Sequence, residues 1–173
     1  IETSWLQRLT WLPGAHRKAL PLLASAARSL DASAHDVVIC SDAATIKAIR
    51  ARDDALKLCY CHSPMRYVWD LYETYRAGAG LIDRVGLGCF AGRVRRADQA
   101  AAETVTAFIA NSRHVAERIR RCYGRASAVI YPPVDTAFPE PAGSSEDFYL
   151  VVGEHVGYKR NDLAIAACNA LRR

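Results

Sequence analysis

Short apolar runs alternate along this chain with longer segments of helical periodicity, and this alternation constrains the fold more than any other feature. Four runs are predicted to be buried strands, namely Asp36–Cys40, Leu56–Cys61, Phe108–Ala110 and Ala128–Tyr131. Strands separated by helices cannot pair through hairpins, so they form a parallel sheet. The pattern therefore predicts an α/β fold built on a parallel sheet.

Helical spacing of apolar residues predicts the elements between these strands. The predicted helices are His16–Leu30, Thr45–Arg50, Leu81–Ala107 and Arg113–Tyr123. Pro21 argues for a late start or a kink in the first, because proline removes a backbone donor. The last follows a capping Asn111-Ser112 pair and ends at Gly124.

Composition sets the class of protein. Of the 173 residues, 51% are hydrophobic and 24% charged, which is enough apolar material for a globular domain with a sizeable core. No run approaches the roughly 18 to 20 apolar residues that span a bilayer, and no signal-peptide pattern opens the chain. The six cysteines are scattered and form no CxxC pair, which favours reduced, mostly buried thiols in a cytosolic protein.

A change of composition predicts a domain boundary. Prolines, glycine, serines and acids dominate residues 132–145, and the double proline of Tyr131–Asp135 is typical either of a stiff exit towards a hinge or of an ordinary loop. The predicted division is 1–138, a linker 139–146, and 147–173, where a strand Phe148–Val152 precedes a helix Asn161–Leu171. The chain starts at Ile1 without methionine and stops within that helix, so we expect a fragment of a longer protein.

The first motif with chemical potential is Tyr-Cys-His-Ser-Pro-Met-Arg-Tyr-Val-Trp-Asp, residues 60–70, directly after a predicted strand. Parallel sheets bind ligands beyond the carboxyl ends of their strands, which is where His62 and Arg66 fall. An imidazole can exchange a proton near neutral pH, and a guanidinium fits phosphate or carboxylate. The alternative is that His62 is structural and that Tyr67 and Trp69 belong to the core.

The second motif is Val-Val-Gly-Glu-His-Val-Gly-Tyr-Lys-Arg, residues 151–160, which places Lys159 and Arg160 at the start of a predicted helix. Backbone N–H groups and the helix dipole favour an anion there, and the two cations suit a diphosphate. A solvated turn is the alternative interpretation.

In combination the motifs resemble those of a known family. In chain order they are His-Ser-Pro-Met-Arg-Tyr-x-Trp-Asp, Phe-Ile-Ala-Asn-Ser-x-x-Val-Ala-x-Arg-Ile, Val-Ile-Tyr-Pro-Pro-Val-Asp and Tyr-Lys-Arg-x-Asp-Leu-Ala-Ile. This set resembles bacterial family-four glycosyltransferases of the GT-B type, from about Trp5 to the last residue. It is most similar to a branch of mannosyltransferases of O-antigen or exopolysaccharide assembly.

The resemblance implies two Rossmann-like domains, the first holding the acceptor and the second the nucleotide sugar. This chain would supply the later part of the first domain and the opening strand and helix of the second. The implied activity is retaining transfer of a hexosyl, notably mannosyl, group from a nucleotide sugar such as GDP-mannose to a lipid-linked or polysaccharide acceptor, with no metal or other cofactor. The family's paired-glutamate motif would follow Arg173, and the 173-residue chain alone would be inactive.

The resemblance also assigns residues. His62 matches the family's cleft histidine, Asn111 and Ser112 the strand-end pair that faces the cleft with Arg66 nearby, and Lys159 the lysine that neutralises the donor diphosphate. Stabilising that departing group is the main electrostatic task of the transfer.

One position departs from the family pattern. Glu154 stands where the family usually has arginine, and a carboxylate there would repel the diphosphate. Either Arg160 or a later residue takes over, or the chain belongs to a subgroup with altered charges. Glu154 leaves open a catalytically incomplete module that binds glycan or a protein partner. Another GT-B enzyme, such as a nucleotide-sugar epimerase, is a further alternative, and the His-Ser-Pro-Met-Arg motif argues against it.

Positive charge is concentrated in one part of the chain. Between Arg84 and Arg125 nine arginines face three acids, a surplus that exceeds the net charge of +5 of the whole chain. Such a strip could contact anionic lipids at the inner face of the cytoplasmic membrane, or it could be a solvated helix face. No nucleic-acid-binding motif accompanies it, so we expect no nucleic-acid partner.

Overall fold

The computed structural model describes residues 2–9, 19–78, 80–137, 143, 147–154 and 159–171. The chain divides into two compact units, Ile1–Pro133 and Val134–Arg173, and each is treated by itself. The predicted linker, 139–146, lies outside the described residues apart from Gly143, and its position stays a prediction.

A four-stranded sheet forms the centre of the first unit. Its strands are β1 (Val37–Asp42), β2 (Leu56–Cys61), β3 (Ala107–Ala110) and β4 (Ser127–Val129). They lie side by side in chain order, and every neighbouring pair is parallel. The predicted α/β fold with a parallel sheet is therefore confirmed, and it has the Rossmann-like form that the family resemblance implies.

Five α-helices accompany the described strands. They are α1 (Leu23–Arg28), α2 (Tyr72–Ala77), α3 (Leu81–Glu103), α4 (Arg113–Tyr123) and α5 (Asn161–Leu171), and short 3-10 turns occur at Trp5–Leu9, Leu20–Leu22 and Ile46–Ala48. The predicted bounds of α4 and α5 are confirmed. At α4, Ser112 Oγ accepts a hydrogen bond from the backbone of Val115, and Gly124 adopts the left-handed φ of 66° that ends a helix.

Other helix predictions need correction. The helix predicted at His16–Leu30 is regular only from Leu23, two residues after Pro21, and residues 16–18 lie outside the described part. The segment Thr45–Arg50 forms a single 3-10 turn, and α2 was not predicted at all. The helix predicted to reach Ala107 ends at Glu103, where the Thr104 hydroxyl bonds to a carbonyl of the last turn.

The core lies on one face of the sheet. Alternate residues of β1, β2 and β3 are buried, because successive side chains of a strand point to opposite faces, and they pack with residues of α3 and α4. Four of the six free cysteines are buried as expected, namely Cys40, Cys59, Cys61 and Cys122, whereas Cys89 is exposed and Cys168 is half-buried. None of the described helices is long and apolar enough to cross a bilayer.

The second unit contains α5 but no described strand. The prediction of a strand at Phe148–Val152 is wrong: this segment is irregular and its side chains are exposed. A strand needs a neighbour to receive its backbone hydrogen bonds, and no other described segment of this unit is extended alongside it.

Candidate functional site at the carboxyl edge of the sheet

Polar side chains from three neighbouring strands meet at the carboxyl edge of the sheet. His62 directly follows β2, and its Nε2 lies 2.8 Å from the hydroxyl of Ser41, the penultimate residue of β1. Asn111 directly follows β3, and its amide nitrogen lies 3.4 Å from the backbone carbonyl oxygen of His62. Both the His62 and the Ser41 side chains are exposed, so a ligand can reach them. The structure thus brings two predicted site residues together, and adds Ser41, which the sequence did not single out.

The backbone around His62 is held on both sides. Its N–H donates to the carbonyl of Asp42 at 2.8 Å, and its carbonyl receives the Asn111 amide. The Tyr60 ring meets the imidazole edge-on, with the ring centres 5.2 Å apart and the planes at 82°. The imidazole is therefore fixed by its neighbours before any ligand binds.

Ser112, also predicted for the site, has a structural task. Its hydroxyl accepts the backbone N–H of Val115 at 3.2 Å and donates to Asn111 Oδ1 at 3.2 Å. Ser112 therefore caps α4 and orients the Asn111 amide, which in turn contacts His62. Its contribution to the site is indirect in this structure.

The loop after His62 is held by Arg118 of α4, whose side chain is only 8% exposed. Its guanidinium donates to Ser63 Oγ at 2.8 Å and to the Pro64 carbonyl at 3.4 Å, and forms an ion pair with Asp70. Met65 is fully buried in the same loop. Much of the motif at residues 60–70 is therefore structural, as the alternative interpretation held for its aromatic residues.

Arg66, another predicted site residue, lies half-buried in the turn that follows Met65, and its carbonyl accepts the N–H of Leu71 at 3.1 Å. The side chain has interactions of its own within the protein. The role of Arg66 in the site stays a prediction.

A buried charge cluster underlies the site, and sequence reasoning missed it. Lys47 Nζ contacts Asp42 Oδ2 at 2.9 Å and Asp98 Oδ1 at 2.6 Å, and all three residues are at most 2% exposed. The second oxygen of Asp98 accepts Trp69 Nε1 at 2.8 Å and the Tyr123 hydroxyl at 2.9 Å. The cluster joins the end of β1 to α3, α4 and the loop after His62.

The protonation states in this cluster follow from its geometry. Burial alone would lower the pKa of Lys47, but the carboxylates of Asp98 and Asp42 outweigh it and raise that pKa above its ordinary 10.5. Burial, followed by the Asp98 charge, raises the pKa of Tyr123. Lys47 thus stays charged and Tyr123 stays protonated at neutral pH, so both continue to bind Asp98.

The arginine-rich region is less of a free cationic surface than its sequence suggests. Most of its side chains have partners, namely Arg84, Arg95, Arg118, Arg120, Arg121 and Arg125. Exposed arginines without a hydrogen bond or ion pair to any described residue are Arg93, Arg96 and Arg113. Arg118, Arg120 and Arg121 share their charge with carboxylates, whereas Arg84, Arg95 and Arg125 donate to backbone carbonyls.

The predicted diphosphate residues lie in the second unit. Lys159 is exposed, and its Nζ lies 3.6 Å from where a side chain on Gly153 would begin. Arg160 has a left-handed φ of 51°, and its guanidinium binds Asp162 at 3.0 Å. Asn161 Nδ2 donates to the carbonyl of Glu154 at 3.3 Å. Both cations are exposed, but Arg160 is already paired with Asp162.

Comparison with known proteins places the chain in a family. The family model described as Glycosyltransferase Family 4 matches residues 6–138, well over half of the chain and including every strand of the sheet. No match is found among curated proteins or among solved structures. The chain therefore belongs to Glycosyltransferase Family 4, and glycosyl transfer, with binding of a nucleotide-sugar donor and an acceptor, is the class of activity that this membership supports.

Proposed function

We propose that this chain forms the acceptor side of a retaining glycosyltransferase that moves a mannosyl group from GDP-mannose to a lipid-linked or polysaccharide acceptor in cell-surface glycan biosynthesis. The observation that carries the proposal is the meeting of His62, Asn111 and Ser41 at the carboxyl edge of the sheet, in a chain of this family. Open α/β sheets bind their ligands at this edge. The choice of mannose rests on the motif resemblance.

His62 is proposed to position the reacting acceptor hydroxyl. Its imidazole is exposed and can donate or accept a hydrogen bond, and its backbone N–H and carbonyl are both hydrogen-bonded. Asn111 acts through this histidine, because its amide holds the His62 carbonyl rather than pointing freely into solvent. A reacting group that is already held in the reactive geometry does not pay the entropic cost of reaching that geometry at each turnover.

Lys159 is proposed to bind the donor diphosphate. Negative charge builds on this group as the bond to the sugar breaks, and a cation placed there lowers the barrier. Arg160 is bound to Asp162 and would have to exchange that partner for phosphate. The Lys159 ammonium has no hydrogen bond or ion pair to a described residue, so it is the better candidate, and we propose that no metal ion is needed.

We also propose that the protein works at the inner face of the cytoplasmic membrane, where lipid-linked acceptors reside. Arg93 and Arg96 lie on the side of α3 that also carries Val85 and Phe90, which are 58% and 42% exposed. Exposed apolar groups beside unshared cations are typical of helices that bind anionic lipid surfaces.

The experiment is a transfer assay with the intact protein, a panel of radiolabelled nucleotide sugars and a bacterial lipid extract. We expect label from GDP-mannose in the lipid fraction, with the same yield when EDTA is present. Transfer from another nucleotide sugar would correct the donor, and sensitivity to EDTA would overturn the metal-independent mechanism. Absence of transfer from every donor would favour a glycan- or partner-binding module.

A further inference from the structure

We propose that Ser41 is a positioning residue that sets the tautomer of His62. In this arrangement the Ser41 hydroxyl donates its hydrogen to Nε2, the proton of the neutral imidazole stays on Nδ1, and Nδ1–H is the group that a ligand meets. The tautomer is a property of the protein itself. Only its consequence for turnover rests on the proposed function.

The first support is the geometry of the contact. Ser41 Oγ and His62 Nε2 are 2.8 Å apart, which is the usual length of a strong hydrogen bond from a hydroxyl. No other hydrogen bond of the Ser41 hydroxyl, and none of His62 Nδ1, is made to a described residue. The hydroxyl therefore has this imidazole as its protein partner, and Nδ1 is left for a ligand.

The direction of the bond follows from the chemistry of the two groups. An imidazole nitrogen is a stronger acceptor than a hydroxyl oxygen, so O–H···N is the better of the two arrangements. In a neutral histidine, the hydrogen bond made by one ring nitrogen decides which nitrogen keeps the proton. A donor at Nε2 therefore fixes the proton on Nδ1, whereas water alone favours the proton on Nε2.

The second support is that the backbone at the end of β1, which carries Ser41, is held in place. The adjacent residue, Asp42, is buried, and its Oδ1 accepts the backbone N–H groups of Ala44 at 2.8 Å and Ile46 at 3.1 Å. Its other oxygen binds Lys47 at 2.9 Å, and Lys47 is bound in turn to Asp98. The buried charge cluster therefore holds the end of β1, and with it the backbone of Ser41, in place.

A fixed tautomer presents a hydrogen-bond donor instead of an acceptor to the ligand. Nδ1–H suits an oxygen of an acceptor hydroxyl or of a phosphate, and it would reach that oxygen without first rotating the ring. Loss of the fixed tautomer should slow turnover more than it weakens substrate binding. We expect Ser41→Ala to lower kcat about tenfold with KM little changed, and Ser41→Thr to restore it.

The test is long-range 1H–15N NMR of the protein labelled at its histidines, at a pH well above the ordinary imidazole pKa of about 6.5. His62→Gln assigns the His62 signals by their loss. We expect Nδ1–H in the wild type and in Ser41→Thr, and a shift towards Nε2–H in Ser41→Ala. Ser29→Ala is the matched control, because among the described residues Ser29 Oγ bonds only to the carbonyl of Ala26 in the preceding helix.

Two results would overturn the inference: Nε2–H in the wild type, or an unchanged tautomer in Ser41→Ala. Both are distinct from failure of the proposed function. If His62→Gln transferred sugar at the normal rate, His62 would lose its catalytic assignment while the NMR result would still decide what Ser41 does.

Discussion

Lys47 Nζ lies 2.6 Å from Asp98 Oδ1 although both side chains are only 1% exposed. Removing two charges from water is costly, and the pair is tolerable because each charged group also has further hydrogen-bonding or ion-pair partners. Asp42, Trp69 and Tyr123 supply those partners. Through Asp42 of β1, whose carbonyl accepts the N–H of His62, the pair connects this strand to α3, so the candidate site depends on a cluster that does not itself face the ligand.

The first prediction concerns this pair. Lys47→Met leaves two buried carboxylates without a counter-charge, and we expect it to lower the free energy of unfolding by about 3–5 kcal/mol in urea denaturation. The matched control is Arg50→Met, which removes an exposed ion pair with Asp31 and should change stability little. Equal losses in the two variants would show that the buried cluster has no special role.

The second prediction is a pH dependence at Tyr123. Burial and the Asp98 charge raise its pKa in the folded state above the ordinary value of 10, so the unfolded chain loses this proton first as pH rises. The wild type should therefore lose stability above about pH 10, by up to about 1.4 kcal/mol per pH unit from this residue. Folding also raises the pKa of Lys47, so this residue too lowers stability as the pH rises above its ordinary pKa of 10.5.

Tyr123→Phe isolates this contribution. At pH 7 it removes the hydrogen bond to Asp98 and should cost about 2 kcal/mol. At about pH 11 the difference in stability between variant and wild type should be smaller, because only the wild type loses the contribution of Tyr123. Urea denaturation at both pH values measures this difference. A gap that widened with pH would show that folding does not raise the pKa of Tyr123.

The third prediction separates the two arginines that bind Asp70. Arg118 is buried and also holds Ser63 and Pro64, whereas Arg121 is 56% exposed. Arg118→Met should cost about 3 kcal/mol and disturb the His62 signals in NMR, because the loop after His62 loses its anchor. Arg121→Met should do neither. Similar effects of both changes would count against the anchoring role of Arg118.

The fourth prediction addresses the membrane. Arg93→Glu combined with Arg96→Glu should greatly reduce co-sedimentation with vesicles that contain anionic lipid, and leave binding to neutral vesicles unchanged. Arg28→Glu is the matched control, an exposed arginine on α1. Undiminished sedimentation of the double variant would remove this side of α3 from the proposed membrane surface.

Local signals explain which elements could be predicted from sequence. The bounds of α4 follow from a capping serine and a terminal glycine, and β2 from a short, mostly apolar run, because these signals act within a few residues. Phe148–Val152 has the same apolar character as β2 but no neighbouring strand among the described residues, and a strand requires pairing. That requirement cannot be read from the segment alone.

The candidate site was predictable only in part for a related reason. His62 and Asn111 follow predicted strands, so their meeting at one edge of the sheet could be expected. The Ser41–His62 and Lys47–Asp98 contacts could not, since they join residues 21 and 51 positions apart, and lysine normally indicates a surface position. The arginine-rich strip was expected to be a cationic surface, but one of its members, Arg118, is buried.

Sugar transfer by the intact protein and by His62→Ala, measured alongside the urea stability of both, tests the candidate site most sharply. A site at the carboxyl edge of the sheet predicts that the variant loses at least about a hundredfold in kcat, while its free energy of unfolding changes by less than about 1 kcal/mol, because His62 is exposed. An unchanged transfer rate in a folded His62→Ala protein would contradict the placement of the site at that edge.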